Sequence, residues 1–271
     1  MLNLIAWLLG LIVTAVSAFT FVPYVSLNSI LYYILILLGS YVGFILLFFI
    51  FAFILSLNVS LKKEYKQPNK FKRVLLYLAV DYAVRFIRIN AKVINKHLMP
   101  KESCFIVQNH LNATDPVITI EAIHKQGHIV MISKKENFKI PLLGKYMHRA
   151  CFQALDRENP RQAIKTINES ARLIYEENIN VCVYPEGTRN KSNDTLLEFK
   201  DGCFKVALKA KCPIVVTTLR NSKNIFKWWP FKKAGTILTI VKVIPYEEYK
   251  DMNTKQISDI VRDIMFKDLE Q

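Results

Sequence analysis

The sequence predicts an α/β fold, a mixed and largely parallel sheet flanked by helices, carried behind an N-terminal transmembrane helical hairpin. Three observations predict it. From Ala91 to Ile244 short apolar runs alternate with helical patterns, as in sheets whose strands are joined by helical crossovers. From Met1 to Leu61 there is no Asp, Glu, Lys, Arg or His, so the whole formal charge of +15 falls on Lys62 to Gln271. Two turns rich in reactive side chains, His110 to Pro116 and Pro185 to Arg189, each follow an apolar run, which is where strand ends build sites in such sheets. The chain thus divides into an anchor at 1–61, a basic linker and amphipathic helix at 62–90, and an α/β domain at 91–271.

The anchor holds two apolar runs, at about 2–22 and 29–57. As helices they reach about 31 and 43 Å, enough to cross a hydrocarbon core of about 30 Å. Between them Pro23, Tyr24, Ser26 and Asn28 supply turn residues and an interfacial aromatic. The amino end lacks the basic region of a cleaved signal, and a second long apolar run follows, so a hairpin is preferred over a leader, with an interfacial or re-entrant arrangement as the alternative.

Lys62, Lys63, Lys66, Lys70, Lys72 and Arg73 follow at once, opposed only by Glu64. The positive-inside rule puts this side, and with it the body, in the cytoplasm at the cell membrane, and the same charges suit an anionic leaflet. A basic chain can also bind nucleic acid, but no motif for it is present. Phe71, Val74, Leu75, Leu78, Tyr82, Phe86 and Ile89 then recur at helical spacing with Lys72, Asp81, Arg85 and Arg88 off the stripe, predicting an amphipathic helix that lies either on the membrane or on the body.

Strands are expected at 91–94, 104–107, 128–132, 214–219 and 237–244, with another running into Tyr184, and helices at 116–123, 160–177 and 202–210. Ile257, Ile260, Val261, Ile264, Met265 and Leu269 predict a closing amphipathic helix. Cys104, Cys151, Cys182, Cys203 and Cys212 form no C-x-x-C pair and read as reduced core residues. His124 and His128 have metal-pair spacing, but Gly127 between them disfavours a continuous helix. In 221–233, Phe226, Trp228, Trp229 and Phe231 alternate with Lys227, Lys232 and Lys233. This loop either dips into a membrane interface or folds its tryptophans back on the body.

The sharpest signal is Asn109-His110-Leu111-Asn112-Ala113-Thr114-Asp115-Pro116. Five positions leave His110 and Asp115 about 140° apart on a helix and on opposite faces of a strand, so only a turn joins them. Pro116 pre-sets a first helical turn, which predicts strand, tight turn, helix. Asp115 either caps that helix or orients the histidine. In Tyr184-Pro185-Glu186-Gly187-Thr188-Arg189, Gly187 permits a turn conformation closed to other residues, Arg189 offers a planar fork for a phosphate and Thr188 a hydroxyl. Lys135 and Arg157 lie in or after the basic segment that ends at Gly144, where anion binding competes with ordinary surface charge.

Together these blocks resemble the glycerolipid acyltransferases, in particular the bacterial 1-acylglycerol-3-phosphate (lysophosphatidic acid) acyltransferases. Asn109-His110 through Asp115-Pro116, Lys134-Lys135 to Gly144 with Arg157, Tyr184 to Arg189, and Cys212-Pro213-Ile214-Val215-Val216 occur in that family's order, over residues 88 to 245 or so. The resemblance implies that His110 is the general base, that Asp115 holds its imidazole, and that Glu186, Gly187, Thr188 and Arg189, with Lys135 and Arg157, form the acceptor site. It implies no metal or resident cofactor, an acyl thioester of acyl carrier protein or coenzyme A as donor, and phosphatidic acid as product. Tyr184 stands where the family usually has phenylalanine, and Val216 where a second proline is common. Alternatives are acyl transfer to another lysophospholipid or to glycerol 3-phosphate, a membrane-bound phosphoesterase with His110 and Asp115 as metal ligands, and a silent lipid-binding scaffold.

Overall fold

A computed structural model describes residues 1–21, 27–156 and 158–271. The elements are α1 (Leu2–Phe21), α2 (Leu27–Ser56), α3 (Lys70–Phe86), β1 (Ile89–Ile94), β2 (Phe105–Gln108), α4 (Asp115–Ile123), β3 (Ile129–Lys134), α5 (Leu143–Arg149), β4 (Gln153–Leu155), α6 (Pro160–Tyr175), β5 (Asn180–Val183), α7 (Lys205–Ala210), β6 (Ile214–Arg220), β7 (Ala234–Ile244), α8 (Tyr246–Tyr249) and α9 (Thr254–Leu269). Among the described residues seven strands form one mixed sheet in the order β1-β7-β6-β2-β5-β3-β4. From β6 to β4 every neighbouring pair is parallel, whereas β7 runs antiparallel to β6 and β1 follows β7.

Burial explains the central strands. Every residue of β2 and β5 is buried, which is why Phe105 to Val107 and Val181 to Val183 read as unbroken apolar runs. Edge strand β1 exposes Asn90 and keeps Lys92 near solvent. β3, with α3 and α4 beside it, and β5, with α6 and α7 beyond it, place helices on both faces. Asparagine caps start α3, α6 and α9: Asn69 accepts from the Lys72 amide, Asn159 from that of Gln162, and Asn253 completes a capping box with Gln256.

α1 and α2 are each long and apolar enough to cross a membrane, and most of the surface of each is exposed. They pack antiparallel: Trp7 stacks on Tyr41 at 4.5 Å, and the Tyr41 hydroxyl donates to Asn3 Oδ1 at 2.8 Å. α1 therefore begins beside Tyr41 and Ile45, and the last turns of α2 continue alone onto the body. There Ala52 is buried in the main core and its carbonyl accepts from Tyr146 Oη at 2.9 Å. A division at residue 61 runs through this packing.

Several expectations change. The buried residues of α3 are Lys72, Arg73, Leu75, Leu76, Tyr77, Val80 and Val84, so Leu75 of the expected stripe is buried while Phe71, Val74 and Phe86 are exposed. The helix is apolar on two sides, one serving the sheet and the other continuing past Tyr82, which packs against the hairpin. Two of the linker cations are internal: Lys72 is bonded to Asn58, and Arg73 to His128 Nε2 at 2.9 Å. Lys62, Lys63, Lys66 and Lys70 remain exposed. In α6 the apolar Ile164 is exposed, whereas Thr166 and Ser170 are buried. α5 and β4 escape the sequence reading because seven and three residues are too few to show a period.

Candidate active site

β2 sends its crossover through α4 toward β3, whereas β5 returns through α7 to β6 on the far side of β2. The chain thus leaves these neighbouring parallel strands in opposite directions and opens a crevice at their carboxyl ends, where open α/β sheets bind ligands. His110 emerges on one lip, two residues past β2, and Glu186 on the other, three past β5.

A tight turn closes His110 onto Asp115, with Nδ1 2.9 Å from Asp115 Oδ2. The same carboxylate oxygen accepts the amides of Leu111 at 2.6 Å and Asn112 at 2.7 Å. Asp115 is fully buried and its side chain faces back to the turn. The helix N-cap is Thr114, with no side-chain capping bond. Asp115 Oδ2 thus bonds the imidazole and two amides of the turn and does not cap the helix. An Nδ1 proton donated to Asp115 leaves Nε2 as the acceptor, and no described residue hydrogen-bonds it. The amides of Val117 and Ile118 at the start of α4 are already bonded to the Thr114 carbonyl and are not open to a ligand oxygen.

Tyr184 lies almost flat on His110, with ring centroids 4.3 Å apart and planes 19° apart. Its hydroxyl is 3.5 Å from Thr119 Oγ1, which donates to Asp115 O at 2.8 Å and Gln108 Oε1 at 3.0 Å. Burial holds the phenol well above its ordinary pKa, so it stays neutral. The imidazole is thus held at one edge by a carboxylate and on one face by a ring.

The Pro185–Arg189 turn is tied to the histidine turn rather than lying open. Glu186 is buried and accepts the His110 amide at 2.7 Å on Oε1 and the Leu197 amide at 3.0 Å on Oε2. Burial raises its pKa and the two amides oppose the rise. Gly187 takes φ 68°, the left-handed conformation expected of it, and its amide donates to Tyr184 O at 2.9 Å. Thr188 and Arg189 are exposed beyond it.

Two asparagines to which the sequence assigns no role complete the frame. Asn190 donates its amide to His110 O at 2.7 Å, and its side chain holds Ser192 and Asp194. Asn109 exchanges two side-chain bonds with the Leu219 backbone, locking the end of β2 to β6. Neither carries a pattern signal, because their value lies in partners distant in sequence.

Lys135 follows β3 and bonds Asp156 Oδ2 at 3.1 Å, holding that carboxyl below its usual range. With strands about 4.8 Å apart, the ends of β3 and β4 lie about 10 and 14 Å along the edge from that of β2. Lys135 thus shares the edge with His110 without touching the pair. Arg157 lies outside the described residues. His124 bonds Asp81 at 3.1 Å while His128 bonds Arg73, so the two histidines do not converge. Among the described residues no group of three or more His, Cys, Asp or Glu is placed to hold a metal ion.

Residues 90–220, from β1 through β6, match the family model for acyltransferases. Curated relatives named 1-acyl-sn-glycerol-3-phosphate acyltransferase include those of Saccharomyces cerevisiae, 27% identical over 68% of this chain and 61% of that protein, and Cocos nucifera, 34% identical over 52% and 47%. The protein of that name from Haemophilus influenzae is 28% identical over 75% of this chain and 83% of its own. The chain spans about half to two thirds of the length of most of the curated relatives it matches. In fold it is similar to the crystal structure of the 1-acyl-sn-glycerophosphate (LPA) acyltransferase PlsC from Thermotoga maritima, with TM-score 0.60 and 17% identity over 99% of this chain and 95% of that one. The matched segment holds both lips of the crevice, so the site lies within the part of the chain that is similar to the acyltransferases.

Proposed function

We propose that the protein transfers a long-chain acyl group from an acyl thioester, carried on acyl carrier protein or coenzyme A, to the free hydroxyl of 1-acylglycerol 3-phosphate, giving phosphatidic acid for phospholipid synthesis. The observation that carries the reading is the 2.9 Å contact of His110 Nδ1 with Asp115, which leaves Nε2 as a base at the crevice. Nε2 takes the hydroxyl proton as that oxygen attacks the thioester carbonyl. The tetrahedral adduct collapses to the ester, the C–S bond breaks, and the imidazolium returns the proton to the leaving thiolate. Asp115 stabilises the imidazolium between these steps. A thioester is already activated, so this route uses no metal or resident cofactor and needs chiefly a base and close positioning.

Arg189, exposed on the lip opposite His110, suits the acceptor phosphate, with Thr188 as a hydroxyl donor, Lys135 farther along the edge, and Arg157 as a further cation for the same phosphate. Glu186 and Gly187 shape that loop. The names of the relatives support lysophosphatidic acid as acceptor, and the exposed apolar hairpin supports a lipid-borne substrate met at the cytoplasmic face of the cell membrane. The phosphoesterase alternative fits less well, because Asp115 Oδ2 already serves the imidazole and two amides.

The test is thiol release from an acyl thioester by purified protein supplied with lysophosphatidic acid. His110→Ala should lower kcat by about 10²- to 10⁴-fold while the melting transition persists, and Arg189→Ala should chiefly raise the acceptor KM. Full turnover by His110→Ala, or an unchanged KM in Arg189→Ala, contradicts the corresponding role. Faster turnover with another lysophospholipid or glycerol 3-phosphate in the same assay reassigns the acceptor.

A further inference from the structure

The loop joining β6 to β7 leaves the body at the same edge of the sheet as His110, because β6 runs parallel to β2. Its base is fixed. Ile225 is buried, the Lys223 carbonyl accepts from Asn112 Nδ2 at 3.3 Å, and Lys223 Nζ donates to Ser192 O at 2.7 Å. Its tip is the opposite. Phe226 is 52%, Trp228 61% and Phe231 88% exposed, and no acidic residue occurs from Asn221 to Lys233 to offset Lys223, Lys227, Lys232 and Lys233.

Of the two fates open to the tryptophans, each takes one. Trp229 folds back, donating Nε1–H to Phe86 O at 3.0 Å and resting its ring 5.7 Å from that of Phe86. Trp228 turns outward with Lys227 Nζ 5.8 Å from its ring. From Trp229 the aromatic chain continues to Phe86, to Tyr82 at 6.0 Å and to Phe49 of α2 at 5.9 Å. The apolar tip is therefore continuous with the exposed apolar hairpin, along the second apolar side of α3.

We propose that the Phe226–Lys233 tip is a second bilayer-contact element, seated in the headgroup region of an anionic leaflet beside the hairpin, and that it holds the crevice edge against the lipid surface. Outward Trp and Phe side chains rimmed by lysines have the amphipathic profile of that zone, and their positive charge complements an anionic leaflet. Lys227, Lys232 and Lys233 keep their ammonium groups in water while the rings enter. The occupant is thus a lipid surface rather than a soluble protein.

Trp7, Trp228 and Trp229 are the tryptophans of the chain. The full-length double variant Trp7→Phe, Trp229→Phe reports from Trp228 alone. In vesicles of phosphatidylcholine and phosphatidylglycerol its emission should be blue-shifted, quenched by lipid brominated near the headgroup, and shielded from aqueous iodide. Quenching by iodide but not by bromolipid overturns the proposal. Because Trp229→Phe removes the bond to Phe86, a second measurement keeps that loop contact. Trp228→Ser with Phe231→Ser should raise the apparent KM severalfold for a long-chain acceptor in vesicles and leave turnover of a monomeric short-chain acceptor unchanged. Equal KM values in both settings overturn the proposal. This arm rests on the acyl-transfer reading, whereas the quenching arm does not, so absence of turnover with every acceptor counts against the reaction alone.

Discussion

Tyr184 shows how one atom separates a packing role from a chemical one. Its ring covers a face of His110, whereas among the described residues its hydroxyl has only the long 3.5 Å contact with Thr119. A neutral hydroxyl so weakly paired contributes little, and losing it leaves no strong donor stranded. Tyr184→Phe should therefore change stability by less than about 1 kcal/mol and keep kcat within about threefold, while Tyr184→Ala should cost about 3–5 kcal/mol and lower kcat by freeing the imidazole. Thermal midpoints and single-turnover rates check both. A large kcat loss in Tyr184→Phe would give the hydroxyl a part in catalysis. At the same scale Glu186, expected among acceptor contacts, spends both oxygens on the His110 and Leu197 amides and so positions the two turns relative to each other.

Among the elements, α3 departs furthest from its expected role. It is an inner helix whose Arg73 reaches His128 at the start of β3, and burial, aided by Arg73 and Lys70, holds that histidine below its ordinary pKa. His128 is therefore neutral in the fold and accepts from Arg73. As pH falls through about 6.5 the unfolded chain takes up the proton first, so this contribution to stability is present above that pH and is lost below it. His128→Gln keeps an acceptor and removes the titration. Its thermal midpoint should fall less than that of the natural chain between pH 7.5 and 5.5; parallel falls would show that other groups govern acid sensitivity. The short α5 has a comparable structural part, since its Tyr146 hydroxyl ties the body to α2.

For the whole molecule, the excess length of α2 acquires a reason. Residues 27–44 span about 27 Å, close to a hydrocarbon core, and the turns after Ile45 belong to the body. A chain starting at residue 45 should keep its cooperative melting transition in detergent. One starting at residue 62 loses Ala52, Ser56, Val59 and the Tyr146 bond, and should melt roughly 5–10 °C lower for a loss of about 2–3 kcal/mol. Equal midpoints would show that the end of α2 is dispensable to the body.

Sequence by itself determined the layered α/β plan, the two apolar helices, the central strands and the turn that brings His110 to Asp115, because each rests on a local period, a charge-free run or a proline. Gly187 was legible too, since its φ of 68° is a demand on one residue. Tertiary structure alone decided which face of α3 is buried, that Lys72 and Arg73 are internal, that Glu186 and Asn190 grip the His110 backbone, and that Trp229 turns in while Trp228 turns out. Each depends on a partner far along the chain, and a polar or apolar side chain carries no mark of that partner until β2 and β5 lie side by side.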